Sequence, residues 1–282
     1  MTARTVLTIA ALTLQEAARR RVLRSLAVLT VVLLGLSAWG FSRIDSEFGG
    51  MTSGEAKLTA ALVLNLVMFG LSLIAALGTA FLAGPTMAGE TESGIALAVL
   101  ARPVRRWAVV LGKWLGLVAF GSGFVVVAGL AQLLIVQTTT GYWPPDPVTG
   151  LALLAGQAAV LLTLGLLLST AVSPMASGIV AVGLFGSTWI AGVVGGVGRA
   201  LNNESVERVG TVSRMLLPTD GLWRGAMNSF QDPTLLTQFS EAFKGHPFLS
   251  PTGLTGTYIG WAGLWVFLVL ALAALSFQRR DM

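Results

Sequence analysis

Residues 148–197 read VTGLALLAGQAAVLLTLGLLLSTAVSPMASGIVAVGLFGSTWIAGVVGGV, without one Asp, Glu, Lys, Arg or His. A helix needs about 20 apolar residues to cross the hydrocarbon core of a bilayer. The stretch holds two such runs, split at Ser173-Pro174. Proline there cannot continue the first helix but suits the first turn of a second. The segment therefore predicts two membrane-spanning helices joined as a tight hairpin. Its apolar residues are continuous rather than alternating, which favours helices over the strands of a membrane barrel.

The same reading extends outward to six spans: Leu23–Phe41, Leu58–Leu82, Trp114–Gln137, Val148–Val172, Ala176–Val197 and Leu254–Phe277. Hydrophobic residues make up 54% of the 282-residue chain and charged ones 11%, well below the quarter usual in soluble domains. Mean hydropathy is +0.79. The expected fold class is all-α and polytopic, a single transmembrane domain over residues 1–282.

Charge orients the bundle. With the N-terminus in the cytoplasm, the inner side holds 11 of the 18 Lys and Arg residues, against four of the 13 acids. Lys and Arg bias favours both termini inside. The loop 198–253 then lies outside, although it carries Arg199, Arg208, Arg214, Arg224 and Lys244. An odd number of spans would move that loop inside. The pI near 10.4 does not point to nucleic acid, because the basic residues flank apolar runs. Ahead of the first span, Val6, Leu7, Ala10, Leu14 and Ala17 recur at helical spacing. Residues 5–22 are expected to form an amphipathic helix at the cytoplasmic interface.

What is missing narrows the function. No ionisable residue lies near the centre of any span; the polar residues there are neutral, among them Thr30, Asn65, Ser72, Ser122, Gln132, Gln157 and Thr163. Proton-driven carriers and intramembrane metalloenzymes need ionisable groups at depth. The chain has no cysteine, and its one histidine, His246, sits in a turn-like Gly-His-Pro segment without a second ligand nearby. No G-x-x-x-x-G-K-[ST] phosphate loop occurs, so no catalytic residue and no bound cofactor are expected on this chain. Three small-x-x-x-small pairs, Gly112/Gly116, Gly192/Gly196 and Gly256/Gly260, are candidates for close helix approach.

The loop 84–113 carries the most specific signal. Gly84-Pro85 is expected to close the second span. Gly89-Glu90-Thr91-Glu92-Ser93-Gly94 follows, then the apolar stretch Ile95–Ala101 with Leu97 and Leu100, then Arg102-Pro103-Val104-Arg105-Arg106, and Gly112-Lys113 opens the third span. Acids suit the start of a short helix, and Pro103 suits the first turn of the next. Arg105, Arg106 and Trp107 are placed at headgroup level. In loop 198–253, Val206, Val209, Ser213 and Leu216 make one stripe. Pro218 should end that helix, Thr219 or Asp220 should cap the next, and Leu222, Trp223, Ala226 and Phe230 should form its apolar side. Two short amphipathic helices at the outer membrane face are expected.

Glu90, Glu92, Gly94, Pro103, Arg106, Gly112 and Lys113 together resemble the ABC-2 type permease family, whose members show an acidic E-x-E-x-G segment, then P-x-x-R, then G-K. Leu217-Pro218-Thr219-Asp220-Gly221-Leu222-Trp223-Arg224 is similar to a P-T-D-x-x-x-R segment of permeases that help mature nitrous oxide reductase. Ile95-Ala96 stands where Thr-Leu is frequent, which leaves the subfamily open. The resemblance implies that Glu90–Ala101 forms a coupling helix seated in a separate ATP-binding-cassette ATPase, which binds ATP and Mg. It implies a second copy of the permease, lipid as solvent and a prokaryotic plasma membrane. The arginines 102, 105 and 106 are read first as topology markers, and the acids Glu90 and Glu92 as coupling residues. Neutral spans point to outward movement of a hydrophobic or amphipathic substrate, or to force passed to an external partner protein. A non-transporting scaffold is the alternative.

Overall fold

The computed structural model describes residues 2–20, 22–48, 54–92, 105–234, 246–250 and 252–279. Nine helices are found among them: α1 Thr2–Arg19, α2 Val22–Phe48, α3 Gly54–Glu92, α4 Arg106–Thr140, α5 Pro147–Ala171, α6 Pro174–Ala200, α7 Glu204–Leu216, α8 Thr219–Ser229 and α9 Gly256–Arg279. Six of these, α2–α6 and α9, are long and apolar enough to cross a membrane. They correspond to the six runs read in the sequence. The end of the bundle that carries α1 is called the near end below, and the opposite end the far end.

The helices outlast the apolar runs. Pro85 lies inside α3, which continues to Glu92 instead of closing at Gly84-Pro85 as expected. Proline removes one backbone donor and leaves the carbonyl four residues earlier without its partner. That carbonyl belongs to Phe81, and Arg20 Nη1 approaches it at 3.5 Å. The third span likewise begins at Arg106, about two turns before the expected Trp114. Lys113 therefore does not open a helix. It lies buried inside α4, and its Nζ donates to Thr86 O at 2.8 Å.

α5 is the central helix. It touches α3, α4, α6, α8 and α9 and is apolar on every side, as a fully enclosed helix must be. Around its far half pack Leu64, Met68, Leu133, Leu154, Trp223, Met227 and Phe230. Around its near half pack Leu82, Met87, Val110, Leu162, Leu166 and Phe277. Neutral polar groups of the spans find partners rather than lipid. Between spans, Gln132 Nε2 donates to Ser37 Oγ at 2.7 Å and Trp114 Nε1 to Thr163 Oγ1 at 2.8 Å; Asn65 Nδ2 donates to Phe248 O, in the segment before α9, at 3.0 Å. Such bonds are worth about 0.6–2 kcal/mol each between membrane helices.

α1 lies against α4. A side chain on Gly112 would meet Ile9 and the Val6 carbonyl, and one on Gly116 would meet Thr13 and the Ala10 carbonyl. The buried side of α1 is Val6, Thr13 and Ala17, while Leu7 and Leu14 of the expected apolar stripe stay exposed.

Candidate functional site

The far end holds a short helical hairpin, α7–α8, between α6 and α9. α7 starts after Asn203, whose side chain accepts from Val206 N at 3.3 Å. It runs back along α6, with Gly210 packed on Gly195 and the Val206–Glu207 backbone on Gly198. These contacts put Gly192, Gly195 and Gly198 on the working face of α6. The expected partner of Gly192, Gly196, meets nothing, and neither do Gly256 and Gly260. α8 then returns along α5. The Phe230 ring fills the space over Gly150, Gly225 sits against Leu153, and Gln157 Nε2 donates to Thr219 O at 3.3 Å.

This register gives the hairpin its depth. Its turn, Leu217-Pro218, lies level with Gln157, ten residues into α5 from Pro147. At 1.5 Å per residue that is about 15 Å along α5, about half the thickness of a hydrocarbon core. Such backbone is tolerated at depth only inside protein. Here Leu217 N donates to Ser213 O at 3.0 Å, Leu222 N to Pro218 O at 3.2 Å, and Leu217, Thr219 and Asp220 are buried. The two helices found here match the extents read from the sequence.

Asp220 holds the hairpin together. Its carboxylate has no exposed surface, and Oδ2 accepts from Arg224 Nε at 2.9 Å and Arg214 Nε at 3.0 Å. Oδ1 has no hydrogen-bond partner and is pressed against Gly192, where a Cβ would overlap the carboxylate. Next to it, the Thr219 and Thr188 hydroxyls bond at 3.0 Å. Tyr258 of α9 donates to Arg214 O at 3.0 Å, and its ring covers Gly221. The capping role expected of Thr219 or Asp220 is not what these residues do. Pro218 is the N-cap of α8, and no side chain caps it. Burial lowers the Arg214 pKa; Asp220 opposes this, and the charges of Arg224 and Arg199 add to it.

Trp223, Ala226, Leu222 and Phe230 form the buried side of α8 as read from the sequence. Trp223 meets Phe69 edge-on at 5.5 Å, and Phe69 stacks on Trp189 at 4.6 Å. α7 differs from its expected stripe. Its one buried residue is Gly210, and Val209, Val212, Met215 and Leu216 are exposed. Beneath them lies a groove of about 710 Å³, lined mainly by Leu164, Leu184, Val212, Leu216, Leu217 and Trp265.

At the near end, Arg105 is the N-cap of α4 and exposed, while Arg106 Nη1 donates to Gln278 O at 3.1 Å, at the C-terminal end of α9. Glu90, Thr91 and Glu92 form the last turn of α3, but their side chains lie outside the description. Ser93, Gly94, Ile95, Leu97, Leu100, Arg102 and Pro103 lie outside the described residues. Among the described residues no group of three His, Asp or Glu could hold a metal. His246 Nδ1 accepts from Phe248 N at 3.3 Å.

Sequence reasoning missed Arg214 as a partner of Asp220 and Tyr258 as the donor to Arg214 O. The Asp220–Arg224 spacing of four was a legible signal on a helix; the contact to Arg214 depends on the hairpin turn. Comparison with curated proteins gives no match. The family model described as ABC-2 family transporter protein matches residues 7–282, which takes in all six spans, the acidic segment and the hairpin, and the chain belongs to that family.

Proposed function

We propose that this chain is the transmembrane permease half of an ATP-driven transporter, coupled through its near end to a separate ATP-binding-cassette subunit. Family membership supports a permease subunit. The absence of a phosphate loop from the sequence supports an energy source on another polypeptide. ATP and Mg belong to that partner. In this reading the near end faces the cytoplasm of a prokaryote, and two permease copies work with two ATPases. Closure of the ATPases rocks the segment 90–101 and rearranges the spans.

The observation that carries the substrate class is the apolar groove of about 710 Å³ beside the hairpin tip. It suits a hydrophobic or amphipathic molecule moving outward. Filling it with Ser187→Trp should abolish substrate-stimulated ATP turnover while leaving assembly with the ATPase intact. Unchanged stimulation would exclude the groove as a path. The likeness of residues 217–224 to permeases that serve a maturing enzyme favours a second reading, in which the hairpin passes force to an external protein.

Coupling is tested at Glu90 and Glu92. A surface charge change costs within about 0.5 kcal/mol of stability, whereas losing a desolvated charge pair at an interface costs about 2–5 kcal/mol. The double change to Ala should therefore leave insertion intact and weaken recovery of the ATPase complex well over tenfold. Normal assembly and turnover would leave coupling to shape and apolar contact.

A further inference from the structure

Arg199, Arg214 and Arg224 come from the end of α6, from α7 and from α8, yet they line one cavity of about 150 Å³ at the far end. Ser250, Thr252, Thr255 and Tyr258 complete its polar wall. Each guanidinium spends its Nε on a carboxylate: Arg214 and Arg224 on Asp220 Oδ2, Arg199 on Glu207 Oε1 at 2.8 Å. Among the described residues, none of their Nη groups has a hydrogen-bond partner. The two acids are not part of the cavity wall, and they balance two of the three positive charges. Thr255 Oγ1 accepts from Thr257 Oγ1 at 3.0 Å, which leaves its own hydrogen to donate into the cavity.

We infer that this cavity binds a phosphate-type oxyanion. Donors converge from four chain segments, which matches a tetrahedral group with several charged oxygens better than a planar carboxylate held by a single fork. A bound anion offsets the remaining positive charge and supplies acceptors for guanidinium donors that the hairpin leaves open. Two sources share this chemistry: a soluble phosphate ester or phosphate ion, and the headgroup of an anionic phospholipid. The site does not depend on the transport reading.

The test uses the full chain. In neutral detergent, thermal stability is followed as inorganic phosphate replaces chloride at constant ionic strength. In nanodiscs of phosphatidylglycerol or phosphatidylcholine, native mass spectrometry measures lipid that remains bound. Arg199 is half exposed, so Arg199→Gln should fold, and its unliganded melting midpoint checks this. Arg43→Gln, at an exposed position that does not line the cavity, controls for general charge. Saturable stabilisation by phosphate, weakened about tenfold or more in Arg199→Gln and unchanged in Arg43→Gln, assigns a soluble ligand. Retention of phosphatidylglycerol that phosphate displaces and Arg199→Gln loses assigns a lipid headgroup. Binding of neither probe, or equal losses in the two variants, overturns the proposal.

Discussion

The two ends of the bundle use arginine and lysine differently. At the near end, three cations reach a backbone carbonyl on another helix: Arg20 that of Phe81, Arg106 that of Gln278 and Lys113 that of Thr86; Arg20 also pairs with Glu16 at 2.6 Å. At the far end, the four arginines of the hairpin region reach carboxylates: Arg199 reaches Glu207, Arg208 reaches Glu204, and Arg214 and Arg224 share Asp220. Near-end cations thus tie one helix to another through its backbone. Far-end cations are instead paired with carboxylates of the hairpin region itself. In the proposed orientation, with the near end in the cytoplasm, this local pairing would let a loop rich in arginine lie outside.

Breaking the far-end network should have the largest effect. Asp220→Asn leaves two largely buried guanidiniums without their counter-charge. Loss of one partner of a buried ion pair costs about 3–5 kcal/mol. We expect a strong fall in melting temperature and in monodisperse yield after detergent extraction. Glu204→Gln removes an exposed pair and should cost no more than about 1 kcal/mol. Equal losses from the two changes would erase the distinction between a structural and a solvated arginine.

Gly192→Ala sharpens the same contrast on one helix. Its methyl would overlap Asp220, and forced overpacking costs about 1–3 kcal/mol. Gly196→Ala meets open space and should be neutral or stabilising by up to about 1 kcal/mol. Thermal unfolding of both variants checks the face of α6 that carries the hairpin. At the near end, Arg106→Gln frees a carbonyl at the end of α9 and should cost about 0.3–1 kcal/mol, less than Asp220→Asn or Gly192→Ala.

The smallest effect is one of pH. Burial lowers the His246 pKa, so the fold favours its neutral ring, which accepts from Phe248 N. The unfolded chain then binds more protons than the folded one below the ordinary histidine pKa of about 6.5. The stability this supplies is present above that pH and lost as pH falls below it. His246→Gln should flatten the acid limb of a melting-temperature profile slightly.

The spans were legible because lipid demands continuous apolar runs, and residues 148–197 supply two with nothing else to read. Helix ends were less legible. Pro85 looks like a stop, yet Arg20, from the link after α1, covers the freed Phe81 carbonyl, and that compensation has no local signature. Lys113 looks like a boundary for the same reason, since its acceptor on α3 is 27 positions away in sequence. At the hairpin, the apolar side of α8 followed from periodicity. The role of Asp220 did not, because an acid in the first turn of a helix reads as a cap until the preceding helix folds back and delivers Arg214. The glycine face of α6 was half visible: the cluster was plain, but a spacing of four chose Gly196 where the packed face runs through Gly195.

The central claim is that the near end faces the compartment of an ATPase while the far-end hairpin is buried from the opposite side. The chain has no cysteine, so single cysteines report cleanly. Arg105→Cys at the exposed start of α4, Leu201→Cys at the exposed end of α6 and Leu217→Cys at the buried hairpin turn should be probed in intact cells with a membrane-impermeant maleimide. The account predicts labelling of Leu201→Cys from outside, of Arg105→Cys only after permeabilisation, and of Leu217→Cys in neither state. Labelling of Arg105→Cys from outside would invert the bundle and contradict docking of a cytoplasmic ATPase at residues 90–101.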